Sequence, residues 1–153
     1  MGELILYPLF AFVACIGFAM VYNIHGLGIL ICAFGGALGW LAYLLSAPIL
    51  QSDISQTLVA AVVIAAYAEI MARIRRCPVT GYLLVAIFPL VPGGGVYYTM
   101  EHAVNGNNEA FLDTFLHTLG LAGAIAVGVL LVSSLVRMWG IFHHHVSQKE
   151  GKA

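Results

Sequence analysis

The sequence predicts an all-α integral membrane protein of about five transmembrane helices, the fourth of them broken at a proline and glycine motif. Three observations carry that expectation. Of the 153 residues, 61% are hydrophobic and 8% are charged, where a soluble domain has about 25% charged residues. The apolar residues gather into stretches of roughly 20, the length that crosses a hydrocarbon core as a helix. One such stretch contains FPLVPGGGVYYTM, from Phe88 to Met100. Its two prolines remove backbone donors, and its three successive glycines hold helical order weakly, so the helix is expected to end near Pro89 and restart around Val96.

The first span is expected from about Leu4 to Tyr22 and the second from Leu27 to Leu45, joined by the tight hairpin Asn23, Ile24, His25 and Gly26. Glu3 leads straight into apolar sequence with no basic region before it, so this segment reads as a span and not as a removable leader. A polar gap from Ser46 to Ser55 precedes a third span over about Ile54 to Ala72, closed by Arg73, Arg75 and Arg76. The fourth, from about Gly81 to Val104, contains the break. After the polar and acidic stretch 105–113 a fifth span follows, from about Thr114 to Val136. A four-span reading remains open if the first two segments are misassigned. Residues 1–137 thus form one polytopic domain and 138–153 a polar tail with Lys149 and Lys152. Lysine and arginine mark the cytoplasmic side. The loop at residues 73–76 and the tail both carry positive charge and are separated by two spans, so both are expected in the cytoplasm and the acidic 101–113 segment outside.

In this orientation the half-helix starting at the break points its N-terminus towards the cytoplasm from within the membrane. Unsatisfied N–H groups and a positive partial charge there suit a carboxylate. Broken helices build substrate sites in many secondary transporters, and non-helical backbone in hydrocarbon is tolerated where it is buried in protein or lines a wet cavity. Pro89, Pro92, Gly93, Gly94, Gly95, Val96, Tyr97 and Tyr98 are therefore candidate substrate-binding residues, with the Thr99 hydroxyl nearby. The competing reading is a kink that merely bends a packed helix.

Glu69 is the acidic residue inside a span, on one face with Ala61 and Ala65. Intramembrane carboxylates are functional candidates by default, here for proton coupling. Arg73, four residues on, offers the competing reading of a simple i,i+4 ion pair. Asn23 suits a turn, because its side chain bonds local backbone; a substrate role is the minority alternative. Glu101 and His102, past the broken span, have interfacial solvation as their default and an exit-gate role as the alternative. His143, His144 and His145 lack a partner motif, so no metal and no cofactor are expected. Cys15, Cys32 and Cys77 are odd in number and without metal spacing, which points to packing residues and no disulfide framework. Gly35 and Gly39 form GxxxG, and Gly120, Ala124 and Gly128 repeat small residues every four positions; such faces pack helices closely, within one chain or between subunits, including further copies of this one.

No basic run interleaves with aromatic residues, which excludes nucleic acid as a partner, and no nucleophile with a base at usable spacing suggests an enzyme. GFAMVYN from Gly17 to Asn23, GALGW from Gly36 to Trp40, and PLVPGGGVYYTM from Pro89 to Met100 together resemble the threonine/serine exporter family. The similarity runs from about Phe10 to Val136 and is to the small subunit of the split type, equivalent to the C-terminal membrane domain of fused exporters. It implies export of threonine, serine or related small carboxylates, succinate in some relatives, driven by the proton motive force. It also implies a bacterial cytoplasmic (inner) membrane and a separately encoded large subunit. A structural or assembly subunit that supports a transporting partner, and a channel without gradient coupling, are the alternatives.

Overall fold

The computed structural model describes residues 2–150, without the side chains of Glu3 and of 139–150. Six α-helices run as α1 (Gly2–Val21), α2 (Leu27–Ser46), α3 (Asp53–Arg75), α4 (Val79–Ile87), α5 (Gly93–Val104) and α6 (Asn108–Glu150), with a 3₁₀ turn at Phe88–Leu90. Four of the helices are individually long and apolar enough to span a membrane, and α4 with α5 makes a fifth span bent by 55°. The five-span expectation is met, including the broken fourth span.

The core is built around α2, which packs against α1, α3 and α4. Its buried residues are nearly all small: Gly28, Cys32, Ala33, Gly35, Gly36 and Gly39. Each glycine admits a specific neighbour. Gly36 receives the Cys15 side chain of α1, Gly39 receives Ile64 of α3, and Gly35 lies against Tyr67 and Ala86. The GxxxG face is thus consumed by packing within the chain. Tyr67 donates its hydroxyl to the Ile31 carbonyl at 3.1 Å, and the Cys15 thiol donates to the Val85 carbonyl at 3.3 Å. Both bonds satisfy polar atoms that hydrocarbon would otherwise strand. Cys15 and Cys32 are buried and unpaired, while Cys77 is exposed.

On its other side α3 packs against α6. A Cβ at Gly128 would come within 2.9 Å of the Ala61 methyl, and one at Gly120 within 2.7 Å of Ile54. This small-residue row also serves packing within the chain. Only 17% of the spanning stretch is buried in α1 and in α6, against 39% in α3, so α1 and α6 form the outer walls and α3 the inner one.

Three helices end in the same way. Asn23, Arg76 and Gly106 have φ of 57°, 52° and 71°, and the residue after each donates its N–H back five positions, as Ile24 does to Ala19 at 2.9 Å. These are Schellman caps, which satisfy the last carbonyls of a helix by a left-handed residue. Two boundaries differ from expectation. The sixth helix begins at Asn108 and not near Thr114, because Asn107 caps it through its side-chain oxygen, which accepts from the Ala110 N–H at 3.3 Å. The second half of the broken span restarts at Gly93, three residues before Val96, because the first turn of a helix needs few internal hydrogen bonds and so accepts glycine.

Candidate functional site

The break occupies two residues, Val91 and Pro92. Proline at 92 pushes the residue before it out of the helical region, and Val91 is extended, with φ −62° and ψ 126°. Pro92 itself, at φ −77° and ψ 60°, forms an inverse γ-turn, closed by the Gly93 N–H donating to the Val91 carbonyl at 2.7 Å. The Val96 N–H donates to the Pro92 carbonyl at 3.1 Å. Among the described residues Gly94 and Gly95 find no acceptor for their N–H groups, and no side chain caps this terminus. Two backbone donors at the start of a twelve-residue helix are therefore available to an incoming anion.

The three glycines divide in role. A Cβ at Gly93 or Gly94 would meet nothing within 4 Å, so no neighbour packs beside these two. Gly95 instead faces the Thr118 side chain of α6, and α5 docks there. The hydroxyls of Thr99 and Thr118 donate within their own helices, to Gly95 and Thr114 carbonyls, both at 2.7 Å. Thr99 is buried, Val96, Tyr97 and Tyr98 are exposed, and the two tyrosine rings meet edge to face at 5.4 Å. A groove of about 510 Å³ between α5 and α6, lined by Val96, Met100, Val104, Phe111, Phe115 and Leu119, presents no free polar group and suits hydrocarbon.

On the other side of the break, Pro89 lines a cavity of about 240 Å³ with Tyr7, Phe10, Ala11 and Ala14 of α1 and Trp40 of α2. The Trp40 indole N–H is buried without a partner, an arrangement that costs stability unless something else supplies the acceptor. Sequence reasoning did not single out Trp40 as a site residue. Its only signal was its place in GALGW, since its nearness to Pro89 is a tertiary fact.

Glu69 is half-buried and lies with Arg73 along a groove between α3 and α6. Arg73 does not pair with it; its guanidinium donates to the Val136 carbonyl at 3.4 Å, and elsewhere the His117 imidazole lies 4.0 Å from the Asp53 carboxylate. No contact of ion-pair length joins Glu69 to Arg73 in the structure.

Asn23 stands apart from the break. Ile24 beside it packs on Gly28, which also meets Tyr82, and Tyr82 precedes Pro92 by ten residues that run through the end of α4 and the 3₁₀ turn. Asn23 takes the left-handed conformation that the turn reading expects. Among the described residues no group of three His, Cys, Asp or Glu side chains is placed to hold a metal, and the side chains of His143, His144 and His145 lie outside them.

The sequence model of the family described as Threonine/Serine exporter, ThrE matches residues 7–135. The chain belongs to the threonine/serine exporter family. The family and the apolar helices together mark a multi-pass membrane protein. No curated protein and no solved structure matches the chain. The second and third spans and both halves of the broken one lie wholly within the matched residues, and the first and last, Leu4–Val21 and Asn108–Met138, each extend three residues beyond them.

Proposed function

We propose that this exporter-family chain is the small subunit of a two-component secondary exporter in the bacterial cytoplasmic membrane. It moves threonine, serine or related small carboxylates, with succinate a further candidate, out of the cytoplasm. The observation that carries the reading is the pair of unpaired N–H groups at Gly94 and Gly95, at a 55° break in an apolar helix pair where Gly93 and Gly94 have no neighbour beside them. Such a terminus binds a carboxylate without a fixed positive charge, so release on the far side is not prevented by a strong ion pair. The proton motive force drives export, with Glu69 as the proton-linked carboxylate and the C-terminus in the cytoplasm. A separately encoded large subunit completes the pathway, and further copies of the chain are compatible with the lipid-exposed walls. The chain is not an enzyme and needs no cofactor in this reading.

One observation favours a second reading, a non-transporting assembly subunit. Helix α5 leaves Tyr97, Met100 and Val104 exposed, at 65%, 64% and 86%, as a surface for a partner span. Export of labelled threonine, serine and succinate decides between them, measured from cells with this chain alone and with its large-subunit candidate, with and without an uncoupler. Export that needs both chains and collapses with uncoupler supports the exporter. Export that survives Gly94→Leu in a well-assembled complex removes the break from the pathway and favours the assembly role. Flux that needs no gradient coupling identifies a channel.

A further inference from the structure

The groove at the predicted cytoplasmic end of α3 and α6 combines features that the break lacks. It encloses about 340 Å³ and is lined by Glu69, Ile70, Arg73, Val132, Leu135 and Val136. One carboxylate and one guanidinium, a helical turn apart on α3, share an otherwise apolar trough and do not pair with each other. Arg73 commits one donor to the Val136 carbonyl, out of the five that a guanidinium carries. Glu69 accepts no hydrogen bond from a side chain among the described residues. Two opposite charges on one apolar trough, Glu69 half-buried and Arg73 exposed, both gain from a ligand that carries the complementary pair.

We infer that this groove is the loading site for the zwitterionic head of an amino-acid substrate, with its ammonium on Glu69 and its carboxylate on Arg73. The inference rests on the exporter reading and deepens it. Position supports it as well as charge. Val136 lies eighteen residues after Thr118 on α6, five full turns, so both fall on one face about 27 Å apart along the axis. Thr118 is where Gly95 of the break docks. The groove and the docking point of the break are therefore two stations along one face of one helix, separated by most of the thickness of a hydrocarbon core, about 30 Å. A substrate without an ammonium group, such as a dicarboxylate, would leave Glu69 unmatched here; the groove selects for zwitterions.

The test uses inside-out vesicles of the native membrane, in which export is read as uptake of labelled threonine. N-acetylthreonine lacks the ammonium and threoninamide lacks the carboxylate, so each is expected to compete at least about tenfold less well than threonine, the loss of one charge-assisted bond. Glu69→Gln should abolish the handicap of N-acetylthreonine and keep that of threoninamide; Arg73→Gln should do the reverse. Leu135→Trp, which fills the trough and leaves both charges, should raise the threonine KM about tenfold, and covers the case in which a charge variant fails to assemble. Unchanged discrimination in both charge variants, with wild-type KM in Leu135→Trp, overturns the loading site while the exporter reading stands. If the variants leave threonine transport intact but change the ethanolamine phospholipid that copurifies, the groove is a lipid site and the inference falls. Vesicles that move succinate but ignore threonine overturn the zwitterion site alone, whereas vesicles that move none of the substrates overturn the exporter reading with it.

Discussion

At the scale of single residues, neighbouring glycines in one motif have different work to do. Gly94 faces open space and Gly95 faces Thr118, so Gly94→Leu should leave the complex assembled and stop transport, whereas Gly95→Leu should loosen α5 from α6. Overpacking of this kind costs about 1–3 kcal/mol, and a lowered melting temperature for Gly95→Leu but not Gly94→Leu, measured on the purified chain, would separate the two roles. Asn23 offers a similar distinction. Its left-handed φ of 57° means Asn23→Gly should fold and transport normally, while Asn23→Val should cost about 1–2 kcal/mol, because a β-branched side chain is disfavoured there and lacks the polar group that lets Asn bond locally. If Asn23→Gly folded but failed to transport, the side chain would touch substrate after all. Glu69→Gln is expected to leave folding intact, because no ion pair depends on it, and to abolish the dependence of export on the proton gradient; wild-type gradient dependence in that variant would remove Glu69 from the coupling.

At the scale of elements, what the sequence disclosed follows from how local each signal is. Hydropathy sums over some 20 residues, so the spans emerged with their order and near their ends. Pro92 and the glycines act on their own backbone, so the break was visible too. Hydropathy does not register helicity, however, and the first turns of α6, with Glu109 and Asp113, read as loop although Asn107 caps them into helix. The three glycines read as part of the interruption, whereas they form the first turn of α5. Which way a small-residue face turns is a question of tertiary packing: Gly35, Gly39 and Gly128 could have met another subunit, and they meet Tyr67, Ile64 and Ala61 of the same chain. The pairing of Arg73 with the Val136 carbonyl, 63 residues away, has no local signature at all. A substitution at such a packed seam tests the assignment. Gly128→Leu should separate α3 from α6 and lower the melting temperature, since its Cβ would already press on Ala61 and on the Leu58 carbonyl, at 2.9 and 3.2 Å.

At the scale of the whole molecule, the orientation is testable with a residue already present. Cys77 is exposed at the loop between α3 and α4, and Cys15 and Cys32 are buried. A membrane-impermeant thiol reagent should label the chain in inside-out vesicles and not in right-side-out ones; the opposite result would invert the topology and turn the N-terminus of α5 outward. The attachment of the helices is also uneven. α2 and α3 each pack against three other helices, while α5 packs substantially on α6 alone and begins with three glycines and no side-chain cap. Local opening follows local contact. In deuterated buffer, the amides of the twelve residues Gly93–Val104 should exchange well before those of α2 and α3, so the part of the protein proposed to meet a ligand would also be the first to take up solvent deuterons.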